Sequence, residues 1–188
     1  MSTRYINIYD LRMRKNGIPY LVIKDKISLS SDECMCSPES IARFAVNHLG
    51  VNMLAEEYVY VLSFNTRLDI MGVFELSHGN IVSSVVDPRQ VITRILISGA
   101  HSFCLLHNHP SGNPFPSNDD MKVTEAVENA AKFSNVNFLD HIIVGDGSYY
   151  SFMEKDDRMD YWNSCCTIDR LLGDWYIQWA DQRKNCCR

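Results

Sequence analysis

The chain has no apolar run near the roughly 20 residues that a bilayer-spanning helix needs. Its first residues, Met1 to Lys15, contain no apolar signal-peptide segment. A cytoplasmic protein that does not cross a membrane is the expectation. Clustered positive charge is also scarce. The net charge is −5, and the only short basic stretches are Arg12–Met13–Arg14–Lys15 and Arg183–Lys184. Broad binding to a phosphate backbone draws on clustered Lys and Arg, so nucleic acid is not supported as a partner. Internal repeats and low-complexity segments are missing too, which excludes a repeat architecture.

What is present suits an ordinary globular chain. Of 188 residues, 46% are hydrophobic and 22% charged, enough to bury a core in one domain with excess at the ends. Seven cysteines fall as close pairs (Cys34 and Cys36, Cys165 and Cys166, Cys186 and Cys187), with Cys104 alone in an apolar run. Without a secretion signal they read as reduced thiols, and Cys104 as core packing. Four of these six paired sulfurs could in principle make a zinc site, but their spacing matches no common zinc module.

Along the chain, Tyr5 to Arg12 alternates, Lys15–Asn16–Gly17 signals a turn, and Tyr20–Leu21–Val22–Ile23 resumes a strand, so a hairpin is expected. Ser37, Pro38 and Glu39 open a helix with Ile41, Phe44, Ala45 and Leu49 on its apolar face, and Gly50 stops it. Tyr58 to Phe64, Ile70 to Phe74 and Ile81 to Val86 read as strands. Asp87–Pro88 opens a second helix, with Val91, Ile92, Ile95 and Leu96 on one face and Gly99 at its end. A buried strand from Ser102 to His107, a Pro/Gly/Ser loop, and a helix from about Ser117 to Phe133 follow. Strands from Phe138 to Val144 and from Tyr149 to Phe152 complete the set. This interleaving predicts an α/β sandwich around one mixed sheet.

Three regions are expected. Residues 1–50 hold the hairpin and first helix, 51–154 the metal-binding domain, and 155–188 an amphipathic helical extension carrying Tyr161, Trp162, Cys165, Ile168, Leu171, Leu172, Trp175 and Trp179. That extension reads first as a helix packed on its own domain and second as a partner-binding surface.

The chemistry concentrates in the stretch from His107 to Asp120. Residues two apart on a strand share a face, so His107 and His109 aim at one point. Ser117 is placed to cap the next helix, and Asp120 lies in its first turn, where the helix dipole favours an ionised carboxylate. Two imidazoles and one carboxylate make a three-ligand set for Zn2+ with an open fourth position, a pattern of catalytic rather than structural sites. Water at that position becomes acidic enough to serve as hydroxide near neutral pH.

His107-x-His109 followed by Ser117-x-x-Asp120 resembles the JAMM (MPN+) metalloprotease motif. The longer string HNHPSG…PS..D, with Leu139–Asp140–His141 and Gly145–Asp146–Gly147 downstream, is similar to its RadC-like branch. The resemblance covers roughly Glu57 to Glu154. It implies a three-layer JAB/MPN fold, cytidine-deaminase-like, with a mixed β-sheet flanked by helices. It also implies a zinc-dependent hydrolase acting on a peptide or isopeptide amide in a protein or peptide substrate. His107, His109 and Asp120 would hold the metal and Glu57 would be the general base, with Glu56 the neighbouring register. Ser117 resembles the serine that steadies the oxyanion or the attacking water. Asp140 and His141 resemble a pair near the site, with His141 read first as a structural hydrogen-bonding group and second as a direct catalytic one.

RadC-like proteins often begin with a helix-hairpin-helix region, whereas this chain starts with a hairpin and one helix. A second expectation is a DNA-repair or mobile-element accessory protein acting mainly as a partner-binding module. A nuclease is not indicated, because the residues of HNH nucleases are dispersed and those of His107–Asn108–His109 are contiguous. The His-x-Glu and Pro-Cys-x-x-Cys signature of deaminases is missing. His48, His78 and His101 carry no motif.

Overall fold

The computed structural model describes residues 4–30, 33–79 and 86–155. Strands β1 (Arg4–Met13) and β2 (Pro19–Leu29) form the expected hairpin, with Arg4 opposite Leu29 and a bulge between Ile8 and Tyr9. Helix α1 (Pro38–Phe44) starts at a capping box in which Ser37 and Ser40 exchange hydrogen bonds. It continues into a π-helical turn over Ala45–Leu49, ended by Gly50 in the left-handed region at φ 63°. Strands β3 (Glu57–Phe64) and β4 (Ile70–Gly79), helix α2 (Pro88–Ser98) and strand β5 (Ser102–Asn108) come next. Helix α3 (Asn118–Phe133), strands β6 (Asn137–Val144) and β7 (Tyr149–Ser151), and the short helix α4 (Phe152–Lys155) close the described residues.

The seven strands form one sheet in the order β2-β1-β4-β3-β5-β6-β7. Parallel pairing of β1 with β4 and of β5 with β6, among antiparallel neighbours, makes it mixed. The hairpin therefore extends the sheet at the edge away from β5.

Alternation along the central strands builds a core on each face. Tyr60, Leu62 and Phe64 of β3, Cys104 and Leu106 of β5, and Ile142 and Val144 of β6 pack with Ile41 and Phe44 of α1. Val59 and Val61, with Phe103 and Leu105, face the opposite way, against Val91 and Ile95 of α2 and Val127 and Ala131 of α3. The sheet lies between two helical layers, an α/β sandwich. Each fully buried Leu, Ile or Phe contributes roughly 1.5–3 kcal/mol of transfer free energy, so the two cores fix which way every residue of β5 points. Burial pushes the Cys104 thiol well above its usual pKa, consistent with a packing role.

Two expectations shift. Leu96 is exposed and does not share the buried face of α2 with Val91, Ile92 and Ile95. β4 runs on to Gly79, past the expected end at Phe74. The strand expected over Ile81 to Val86 falls, apart from Val86, outside the described residues, as does the amphipathic segment after Lys155. Among the described residues, no helix is long and apolar enough to cross a membrane.

Candidate metal centre

β5 pairs antiparallel with β3 so that Val59 lies opposite His107. Opposed residues share a face, so His107 projects towards α3, the side filled below it by Leu105 and Phe103. His109 lies one residue past the end of the strand. It holds the strand's course because its N–H donates to the Val144 carbonyl at 3.0 Å.

The following loop is closed by Gly112 N–H to His109 C=O at 2.9 Å and fastened by Asp146 N–H to Gly112 C=O at 2.8 Å. Gly145 is required there: a Cβ would overlap the Gly112 carbonyl and the Pro114 ring. The loop returns a carbonyl to the site, because Asn113 C=O sits 2.7 Å from His109 Nδ1 and can only accept, so Nδ1 carries a proton.

Ser117 then caps α3. Its Oγ accepts from Asp120 N–H at 3.2 Å, while its own N–H and O–H each donate to Asp120 Oδ2 at 2.7 Å. This is a capping box with aspartate in the third helical position. It fixes the Asp120 carboxylate at the positive end of a 16-residue helix.

The three side chains meet. His107 Nε2 lies 3.0 Å from His109 Nε2 and 3.3 Å from Asp120 Oδ1, and His109 Nε2 lies 3.4 Å from Asp120 Oδ2. Taking one ligand atom from each residue, the three lie within 4.8 Å of one another, near the spacing of about 3.3 Å that tetrahedral zinc with bonds of about 2.0–2.1 Å needs. Among the described residues this is the one group of three or more His, Cys, Asp or Glu side chains converging in this way. The His107 side chain is 2% exposed and those of His109 and Asp120 are 13% and 14%, so the triangle is closed below and reachable from above.

Electrostatics agree with a cation-seeking site. Burial, then the neighbouring His141, hold His107 well below the usual histidine pKa, so it is neutral. Burial alone would raise Asp120, but hydrogen bonds from His109 and Ser117 and the His107 ring hold its carboxyl well below the usual range. The hydrogen bond to Asp120 raises His109.

The other expected residues are placed as follows. Glu57 opens β3, is half-buried, and its charge contributes to raising the His109 pKa. Glu56 is exposed. His141 Nε2 lies 2.8 Å from His107 Nδ1, and burial lowers its pKa to about 4. The Asp140 carboxylate accepts from Ser151 Oγ at 2.6 Å and from the Met153 and His141 N–H groups, a cradle that anchors β7 and α4. Burial raises its pKa to about 7.

Two residues outside the sequence-based expectation also reach the site. Asn108 lies between the two histidines and is 2% exposed. Its Oδ1 accepts from Tyr58 N–H at 2.9 Å, and its Nδ2 donates to Glu56 C=O at 3.0 Å, so it grips the backbone on both sides of Glu57. Thr124 lies one helical turn after Asp120, with its hydroxyl 2.6 Å from His141 Nδ1. A polar residue at a buried strand position and a threonine four residues after a helix-borne ligand are the signals that mark them in the sequence.

A family model described as the RadC-like JAB domain matches residues 35–158. The chain is 38% identical over 119 residues to a UPF0758 protein of Clostridium acetobutylicum, covering 63% of this chain and 51% of that one. It is 34% identical over 119 residues to a UPF0758 protein of Alkaliphilus metalliredigens, covering 63% and 50%. A UPF0758 protein of Symbiobacterium thermophilum is 33% identical over 121 residues, covering 64% and 51%. The chain thus spans about half the length of the curated relatives it matches.

Proposed function

The chain belongs to the RadC-like JAB domain family, and on that premise we propose that it is a metal-dependent hydrolase that splits an amide, peptide or isopeptide, with water. The observation that carries this reading is the convergence of His107, His109 and Asp120, whose ligand atoms lie within 4.8 Å of one another and whose outer side is open. Zinc held there supplies a Lewis acid that polarises a carbonyl and acidifies water.

The protein's own groups supply the rest. Glu57 takes a proton from the attacking water and hands it to the leaving amine, the two-way transfer expected of a general base that becomes an acid. Parity favours Glu57 over Glu56: it shares the face of Val59, and so that of His107 opposite. Ser117 orients Asp120 through its cap, and its hydroxyl serves an oxyanion if its proton turns from Asp120 to the substrate. A protein or peptide is the proposed substrate.

The test is metal content by elemental analysis together with hydrolysis of peptide and isopeptide libraries. About one zinc per chain is expected, lost in H109A and kept in E57Q, with turnover abolished in both. Turnover retained in E57Q removes the base role. No zinc in the wild type after reconstitution overturns the metal reading.

A further inference from the structure

We propose that Thr124 and His141 are positioning residues that fix the tautomer of His107 and so set the affinity of the centre for metal. The inference rests on the metal reading above and follows from counting protons. A backbone carbonyl can only accept, so the Thr124 hydroxyl gives its single proton to Asp120 C=O at 2.6 Å. Towards His141 Nδ1, also at 2.6 Å, the same oxygen must then accept, and His141 carries its proton on Nδ1.

A neutral ring has one proton, so His141 Nε2 is bare and accepts from His107 Nδ1 at 2.8 Å. That places the proton of His107 on Nδ1 and leaves its Nε2 lone pair free, aimed at His109 Nε2 and Asp120 Oδ1. His109 reaches the same state separately, through Asn113 C=O. Phe152 stacks on His141 with ring centroids 5.1 Å apart and planes 6° apart, which holds the plane of the relay ring.

The relay starts on the backbone of one ligand, Asp120, and ends on the ring of another, His107. It ties the first turn of α3 to β5 through β6. Without the threonine oxygen, no other group among the described residues holds the proton of His141 on Nδ1. With that proton on Nε2, His107 is pushed to carry its own on Nε2, where it blocks the metal. Partners of this kind typically account for 10- to 100-fold in metal affinity.

The experiment measures zinc affinity by chelator competition for wild type, T124V and T124S. In parallel, nitrogen NMR of the histidine rings is read in the zinc-loaded wild type. T124V is expected to bind zinc roughly 10- to 100-fold more weakly, T124S to restore binding, and His107 and His141 both to carry their protons on Nδ1. The relay is overturned if folded T124V binds zinc as tightly as wild type, or if His141 is protonated on Nε2. If T124V does not fold, the wild-type spectrum alone decides. A wild type that takes no zinc overturns the metal reading and the relay with it, an outcome distinct from a relay that fails while zinc binds.

Discussion

Asn108→Ala should lower stability by about 2–4 kcal/mol while leaving the zinc stoichiometry intact. The two bonds that Asn108 makes to Tyr58 N–H and Glu56 C=O extend the β3–β5 ladder beyond its last backbone pair, Val59 with His107. Each neutral bond is worth about 1 kcal/mol net, and an N–H left half-buried without an acceptor costs roughly 1–3 kcal/mol. Glu56 is exposed, so its carbonyl recovers a water partner; Tyr58 is half-buried, and its N–H does so less readily. The two proposed histidine ligands project from the other face of β5 and Asp120 comes from α3, so metal binding is spared. Asn108→Asp separates bonding from volume: it keeps an acceptor for Tyr58 but sets a carboxylate oxygen against the Glu56 carbonyl in a buried position, so it should be at least as damaging. Urea denaturation at constant pH, beside elemental analysis of the same preparations, gives both readings. An Asn108→Ala change below about 0.5 kcal/mol, or a loss of zinc that parallels the loss of stability, would refute the assignment.

Two further outcomes follow from the same geometry. Asp140 is buried with its pKa raised to about 7, so the folded state favours its proton. Its contribution is fully present below about pH 4 and is lost as pH rises to 7, with an upper bound of about 4 kcal/mol. His141, lowered to about 4, contributes with the opposite sign over part of that range. The comparison of wild type with Asp140→Asn isolates the carboxyl: between pH 5 and 8 the urea midpoint of wild type should fall more than that of the variant, and equal slopes would remove the assignment. Gly145→Ala, whose Cβ meets the Gly112 carbonyl and Pro114, should push back the loop that carries the His109 partner Asn113. A loss of roughly 1–3 kcal/mol is expected together with weaker zinc binding by chelator competition; wild-type values for both would show that the loop has slack.

The parts of this molecule that read well from sequence are those governed by local period and capping. His107-x-His109 on a buried strand and Ser117-x-x-Asp120 at a helix start announce their geometry through neighbours two and three residues away. The structure brings those three side chains together in a group that could hold a metal ion. What did not read is what depends on register between distant segments. Asn108 has partners that only the placement of β3 supplies, Glu56 among them, 52 residues away in the chain. Thr124 is an ordinary polar residue of a surface helix until β6 pairs parallel with β5 and carries His141 beneath it. The parallel pairing of β1 with β4, which joins the N-terminal hairpin to the main sheet, has no local signal at all. Leu96 shows the converse: its position on the helical wheel suggested a buried face that α2 reserves for Val91, Ile92 and Ile95.

The tripeptide His107–Asn108–His109 explains why the ligands and the proposed base are so closely tied. Alternation sends the two histidines towards α3 and forces the residue between them to turn away, into a position that excludes water. A polar side chain there must find partners, and those available are the backbone groups on either side of Glu57. Three consecutive residues thus set the two imidazoles of the proposed centre on one face and locate the base segment by hydrogen bonds from the other. Drift of Glu57 relative to the histidines then requires those two bonds to break, whereas the carboxylate of Glu57 takes no part in them. The backbone anchor and the acid are therefore separable: Asn108→Ala should loosen the segment and keep the metal, while Glu57→Gln should leave the anchor in place and remove only the proton transfer.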